Sequence, residues 1–171
     1  MLISRGGYAE DYRVGQVVRH RRGHTVSQGD NGFLSLMTMN TAQTHFNEHS
    51  MLTYMDGDFP GAPLNACVAL ALAVGLTSQD MSEHSLGDLG YQGLTITRPL
   101  LVGDSVYATS TVLATDAPSP REDAGVLRYR IELARPDEDA LLRVERSVLL
   151  KRRDAWLARD TALTTRVFGE H

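Results

Sequence analysis

The run LNACVALALAVGL, Leu64 to Leu76, is apolar on nearly every face and rich in alanine. A helix made from it has no wet side, so the rest of the chain has to enclose it on all sides. It is too short to span a bilayer and reads as a buried helix within a folded domain. The preceding GDFPGAP, with two glycines and two prolines, is a loop that delivers the chain to the start of that helix.

The material that encloses it lies mostly downstream. From Tyr91 the pattern changes period. GLTITRPLLV, SVYATSTVLAT, AGVLRYRIELA and ALLRVERSVLLKR are four runs enriched in Val, Thr, Tyr and Leu, several of them alternating. Turns of composition GD, PSPRED and RPDED separate them, which predicts antiparallel strands. Upstream, Gln16 to Val26 alternates as a further strand, with Arg and His on its wet face. Phe33, Leu36 and Met37 then follow helical spacing behind Ser27 or Asp30, either of which can cap the helix through a side-chain oxygen. Asn47 opens a short helical turn through MLTYM.

Helices segregated from an antiparallel sheet define an α+β class, here one domain over residues 1–153 with a tail at 154–171. The tail either forms a helix or docks on a partner. A short open sheet leaves an edge, so pairing into a homodimer or a higher homo-oligomer is expected.

Composition narrows the function. At 171 residues, 42% hydrophobic and 22% charged, the chain suits one globular domain. A net charge of -4 gives no broad electrostatic case for nucleic acid or an anionic membrane as partner. One cysteine, Cys67, rules out an intramolecular disulfide, and MLISRGGYAE lacks the apolar core of a signal peptide, so a cytoplasmic protein is expected. No His, Cys, Asp or Glu set has zinc-ligand spacing, and no GxSxG, Walker or GxGxxG signature occurs, so no metal or bound cofactor is expected.

The chemistry-bearing stretch is MTMNTAQTHFN, Met37 to Asn47. Its His45 can take or give a proton near neutral pH, because imidazole has an unperturbed pKa of about 6.5. An equally simple reading has His45 binding a backbone group at a helix end. Asn40 cannot act as a base, although its amide can hold a water through one donor and one acceptor. The apolar helix begins near Asn65, Ala66 and Cys67, where the first backbone N–H groups lack helical partners and can face an anion or a carbonyl oxygen. The Cys67 thiol itself reads as packing inside an apolar helix.

With these residues in place the chain resembles the MaoC-like enoyl-CoA hydratases, which have a hot-dog fold: an antiparallel sheet wrapped around a long helix. The family run places an Asp and a His on one water. In TMNTAQTH the His is His45, and Asn40 stands where the Asp belongs. The family's Ala-His-Gly-Met entry to the helix matches Leu64-Asn65-Ala66-Cys67, and its later helix glycine matches Gly75. RPLLVGDSVYATSTVL is similar to the family's strand–GD–strand hairpin, with Gly103 and Asp104 at the turn. The resemblance covers Tyr12 to Arg153. TMNTAQ.HFN, GLTSQD and VLLKRR are most similar to a subgroup that includes mesaconyl-CoA hydratases, also called β-methylmalyl-CoA dehydratases.

The resemblance implies reversible hydration of an enoyl thioester, branched or carboxylated in the manner of mesaconyl-CoA. CoA or an acyl-carrier protein would be the carrier. His45 would act as acid and base, Asn40 would orient water, and the N–H groups of Ala66 and Cys67 behind Asn65 would meet the thioester carbonyl. Lys151, Arg152 and Arg153 suit either the carrier's phosphates or a solvated strand end. Two alternatives remain: a hot-dog thioesterase with Glu48 or Asp30 activating water, and a non-catalytic subunit that binds acyl groups.

Overall fold

A computed structural model of the chain describes residues 6–51, 53, 60–115 and 117–168. The elements run β1 (Val17–Thr25), α1 (Gln28–Met37), a 3-10 turn (Gln43–His45), α2 (Glu48–Met51), α3 (Ala66–Met81), β2 (Ser85–Ile96), β3 (Ser105–Ala114), β4 (Ala124–Ala134), β5 (Leu142–Lys151) and α4 (Arg153–Phe168). Most of the expected MLTYM turn beyond Met51, and the GDF that opens the Gly/Pro loop, lie outside the described residues.

All five strands join one antiparallel sheet in the order β1-β3-β4-β5-β2. Strand alternation decides which side chains meet α3. Ala108, Ser110 and Val112 of β3 stand opposite Leu133, Ile131 and Tyr129 of β4. Those three in turn face Leu142, Val144 and Arg146 of β5. Every one of these nine side chains is buried, and the apolar ones form a single core with Val68, Ala69, Ala73 and Met81 of α3. The α+β expectation and the sheet wrapped on a long helix hold.

Three details differ from the sequence reading. First, α3 does not stop near Leu76 but runs on to Met81, with the Thr77 and Ser78 hydroxyls turned back onto the carbonyls of Val74 and Gly75. Second, α3 is not enclosed on all sides. The sheet and α1 cover only part of its circumference, and Cys67, Ala71 and Gly75 form an exposed stripe of small residues. The expected packed Cys67 is therefore open. Third, β2 begins at Ser85, well before Tyr91, while RPLLV contributes only one isolated bridge, Leu101 to Pro63. Gly87, Gly90 and Gly93 accompany three breaks in the β2–β5 register, and these irregularities hide the period of two.

Polar side chains pin the C-terminal end of α3. His20 of β1, expected on the strand's wet face, is instead only 4% exposed, because its Nδ1 lies 2.7 Å from Asp80 Oδ2 and its Nε2 2.9 Å from Ser110 Oγ. The Tyr12 hydroxyl donates to the Asp80 carbonyl at 2.6 Å. Burial pushes that phenol up to about 12, so it stays a donor across the ordinary pH range. The tail is the helix α4, held by Lys151 to Asp160 at 2.5 Å, Tyr8 to Asp160 at 3.0 Å and the Trp156 indole N–H to the Asp123 carbonyl at 3.1 Å.

The hairpin before β3 is closed by Asp104, whose Oδ2 accepts from the Leu101 N–H at 2.8 Å and from Arg135 Nη2 at 2.7 Å. Burial would raise this carboxyl, but the Arg135 guanidinium and the Leu101 N–H outweigh it and hold it below the ordinary carboxylate range. A depressed carboxyl stabilises the fold fully above its unfolded value and loses that contribution as pH falls through the folded one. Asp104→Asn is expected to lower stability at neutral pH by about 1–3 kcal/mol. The gap between the two proteins should close below about pH 4 in urea titrations run at both pH values.

Candidate active site

The N-terminal end of α3 gathers residues from four parts of the chain around one buried carboxamide. Ser27 caps α1 by accepting the Asp30 N–H, and Asp30 returns a bond to the Ser27 N–H, a reciprocal box that fixes where the helix starts. That start turns the next residue, Asn31, inward, where it is fully buried. Asn31 Nδ2 donates to the His45 carbonyl at 2.8 Å and to the Pro63 carbonyl at 3.0 Å. Its Oδ1 accepts from the Asn65 N–H at 3.3 Å and from the Ser35 hydroxyl at 3.5 Å.

His45 closes the 3-10 turn and is half-buried. Its Nδ1 lies 2.8 Å from the Pro63 carbonyl. A carbonyl can only accept, so Nδ1 carries the proton and, in the neutral ring, Nε2 keeps its lone pair. Nε2 makes no hydrogen bond among the described residues. The ring is thus held by its protonated nitrogen against Pro63, three residues before the start of α3, with its basic nitrogen left over.

Asn40 follows Met39, a residue in the left-handed region at φ 60, and its N–H donates to the Ser35 carbonyl at the end of α1. Its Oδ1 accepts from the Ala42 N–H at 3.0 Å, which shapes the turn leading to His45. No hydrogen bond joins Asn40 to His45 among the described residues. With Oδ1 engaged, the Nδ2 group is the part of the amide left to meet another molecule.

Asn65 is the N-cap of α3, and its Oδ1 accepts from the Cys67 N–H at 3.0 Å. Of the two N–H groups expected to meet a carbonyl, that of Cys67 is therefore already capped, and that of Ala66 makes no hydrogen bond among the described residues. Glu48 is exposed on α2. Asp30 is engaged by Ser27 and by His24 Nε2 at 3.0 Å, and the Ser27 backbone N–H, followed by His24, lowers its pKa. Lys151 faces Asp160, Arg152 the Ala124 carbonyl, and Arg153 Asp11.

A groove of about 480 Å³ runs along one face of α3 from Leu64 to Leu76, and none of Asn31, Asn40, His45, Asn65 and Ala66 lines it. Leu64, Val68, Ala71, Leu72, Gly75 and Leu76 form its apolar wall, Leu34 its α1 side, and Arg22, Gly23 and His24 its β1 side. Leu64 sits between Pro63, which holds His45, and Asn65, which caps the helix. The sequence reading passed over Asn31 and this groove. A poor helix former in the first turn of α1, where only a cap is needed, was the available signal for Asn31.

A family model described as mesaconyl-CoA hydratase matches residues 4–167. A mesaconyl-CoA hydratase of Cereibacter sphaeroides is 28% identical over 155 residues, which cover 90% of this chain and 44% of the relative. A β-methylmalyl-CoA dehydratase of Chloroflexus aurantiacus is 30% identical over 121 residues, covering 71% of this chain and 33% of the relative. A Mycobacterium tuberculosis protein with a double hot-dog fold superposes with a TM-score of 0.77 at 22% identity, over 88% of this chain and 46% of that one. The chain spans less than half the length of the curated relatives it matches.

Asn65→Ala removes the cap and strands the Cys67 N–H. The substitution is expected to lower stability by about 1 kcal/mol, read as a shift of the denaturant midpoint with an unchanged slope.

Proposed function

Because the chain belongs to the mesaconyl-CoA hydratase family, we propose that it reversibly adds water to the double bond of an enoyl thioester, with His45 as the proton carrier. The observation that carries this reading is the 2.8 Å bond from His45 Nδ1 to the Pro63 carbonyl, which leaves Nε2 as a base beside the start of α3. In the hydration direction, Nε2 takes a proton from water as the oxygen bonds to the β-carbon. The electron pair of the double bond moves to the α-carbon and the thioester oxygen. The Ala66 N–H at the helix end meets that oxygen as its charge develops, a donor placed before the reaction begins. The His45 imidazolium then returns its proton to the α-carbon, leaving a 3-hydroxyacyl thioester.

Asn40 replaces a carboxylate with an amide, and its Nδ2 would orient the water by donating to the oxygen. The exchange suits an acyl group that carries its own carboxylate, as mesaconyl-CoA does. A second negative charge in a poorly solvated site would oppose such a substrate by an amount on the order of a few kcal/mol. The acyl group would occupy the groove along α3, which begins at Leu64 between Pro63 and Asn65, has an apolar wall and carries Arg22 and His24 on its β1 side. The reaction needs only water and the thioester, carried on CoA or on an acyl-carrier protein. The site calls for no metal or bound cofactor, and the cytoplasm, where such thioesters are made, is the compartment this reading favours.

A homodimer belongs to the same reading. β2 is an edge strand with exposed Leu89, Tyr91, Leu94 and Ile96, and α3 leaves its small-residue stripe open. Exposed apolar edges of this kind are pairing surfaces. A second copy would supply the other hot-dog unit of an arrangement that the M. tuberculosis protein holds within one chain.

The test follows the loss of enoyl-thioester absorbance with mesaconyl-CoA and crotonyl-CoA. The native protein should consume mesaconyl-CoA faster than crotonyl-CoA, and His45→Ala should slow it by about 10²–10⁴-fold. Release of free thiol would instead indicate a thioesterase, and binding without turnover an acyl-binding subunit. Light scattering should give twice the chain mass, falling to one for Leu89→Lys with Leu94→Lys. A monomeric native protein would sink the dimer.

A further inference from the structure

We propose that Asn31 is a positioning residue that ties the base to the carbonyl-binding end of α3. This rests on the hydratase reading of the same site. A carboxamide has two N–H donors and an oxygen with two lone pairs, and Asn31 uses all four. Its partners assign the orientation of the amide: the two carbonyls, His45 and Pro63, must face nitrogen, and the Asn65 N–H must face oxygen. A reversed amide would set one acceptor against two others.

Three of the four bonds have a direct bearing on the reaction. The bond to the His45 carbonyl holds the backbone of the base. The bond to the Pro63 carbonyl fixes the very oxygen that accepts the His45 Nδ1 proton, so one carbonyl serves both side chains. The bond from the Asn65 N–H holds the residue that caps α3 and precedes the Ala66 N–H. Asn31 reaches 14, 32 and 34 residues along the chain to these groups, and no water competes for it because it is fully buried. The distance between the base and the N–H that meets the thioester oxygen is therefore set through one rigid side chain on a third element. Asn31 itself touches no substrate in this account.

Chemistry also explains why the residue has to be an amide. Aspartate has nearly the same shape but no donors, and would present carboxylate oxygens to two carbonyls. Serine keeps one donor and no planar fork. Alanine strands the Asn65 N–H, leaves the His45 carbonyl only the 3.5 Å contact from Gln28 Nε2, and removes one of the two donors that hold the Pro63 carbonyl.

The experiment compares native protein with Asn31→Asp, Asn31→Ala and Asn31→Ser, using the thioester that the native protein turns over and 15N NMR of the His45 ring without substrate. The expected result is a kcat lowered by about 10–100-fold with KM little changed, as for a misplaced catalytic group. The hydrogen-bonded Nδ1–H signal of His45 should weaken in the same variants. Asp should be worst, with Ser retaining the most activity and signal. Should Asp or Ala fail to fold, Ser alone still decides, since it keeps a hydroxyl donor. Variants that melt earlier but keep native kcat and the native ring signal would reduce Asn31 to packing and overturn the proposal. A native protein with no turnover sinks the hydratase reading, and the ring signal in the variants then decides by itself whether Asn31 holds His45.

Discussion

Enclosing α3 is the constraint that everything else answers to. A helix of this composition gains its stability largely from what covers it, and the inner strands contribute by turning alternate side chains toward it. The inner faces of β1, β3 and β4 lie against it, β5 extends the same core, α1 adds a flank, and one stripe of small residues stays open. The candidate site lies where this enclosure begins. There the chain changes from loop to helix, so backbone donors and acceptors without helical partners are at their densest. Asn31, Asn65 and the His45 ring satisfy most of them, and the Ala66 N–H and His45 Nε2 left over are the groups the proposed reaction uses.

The architecture was legible because it rests on local signals. The unbroken apolar run marked α3, the alternation of β3, β4 and β5 reported one buried face, and Gly103-Asp104 marked the turn that Asp104 then closes with Arg135. The failures have physical causes as well. β2 is an edge strand with glycines and register breaks, so no sequence alternation advertises it. The end of α3 was misplaced because the unbroken apolar run stops at Leu76, while the polar residues from Thr77 on continue the helix to Met81. The open stripe depends on how far a five-stranded sheet can curl, which composition does not report.

At the site, the division falls between near and far partners. The caps at Ser27, Asp30 and Asn65 act within two or three residues and were within reach of the sequence. Asn40 satisfies a local reading, since its oxygen shapes the turn, and its nitrogen stays available for the role proposed above. Asn31 was out of reach: its significance lies in three backbone groups that only the fold brings together, and its own neighbours in sequence suggest nothing beyond an ordinary first turn. The Cys67 N–H was misjudged for the opposite reason, because the side chain that caps it stands just two residues away.

The two ends of α3 share a design that the middle lacks. Its central turns are Ala, Leu and Val, held by apolar packing alone, with Leu70, Leu72 and Leu76 set against the core. Polar clasps stand at both ends, Asn31 with Asn65 at the first turn and Tyr12 with His20 and Asp80 at the last. Such clasps index the helix as detents index a shaft, setting its axial and rotational position while the greasy span between is free to vary. Drift among small apolar residues along the shaft would therefore leave the geometry at Ala66 unmoved. A change at either clasp would advance or retard the whole helix, so a substitution near Asp80 has a mechanical route to a site at the far end.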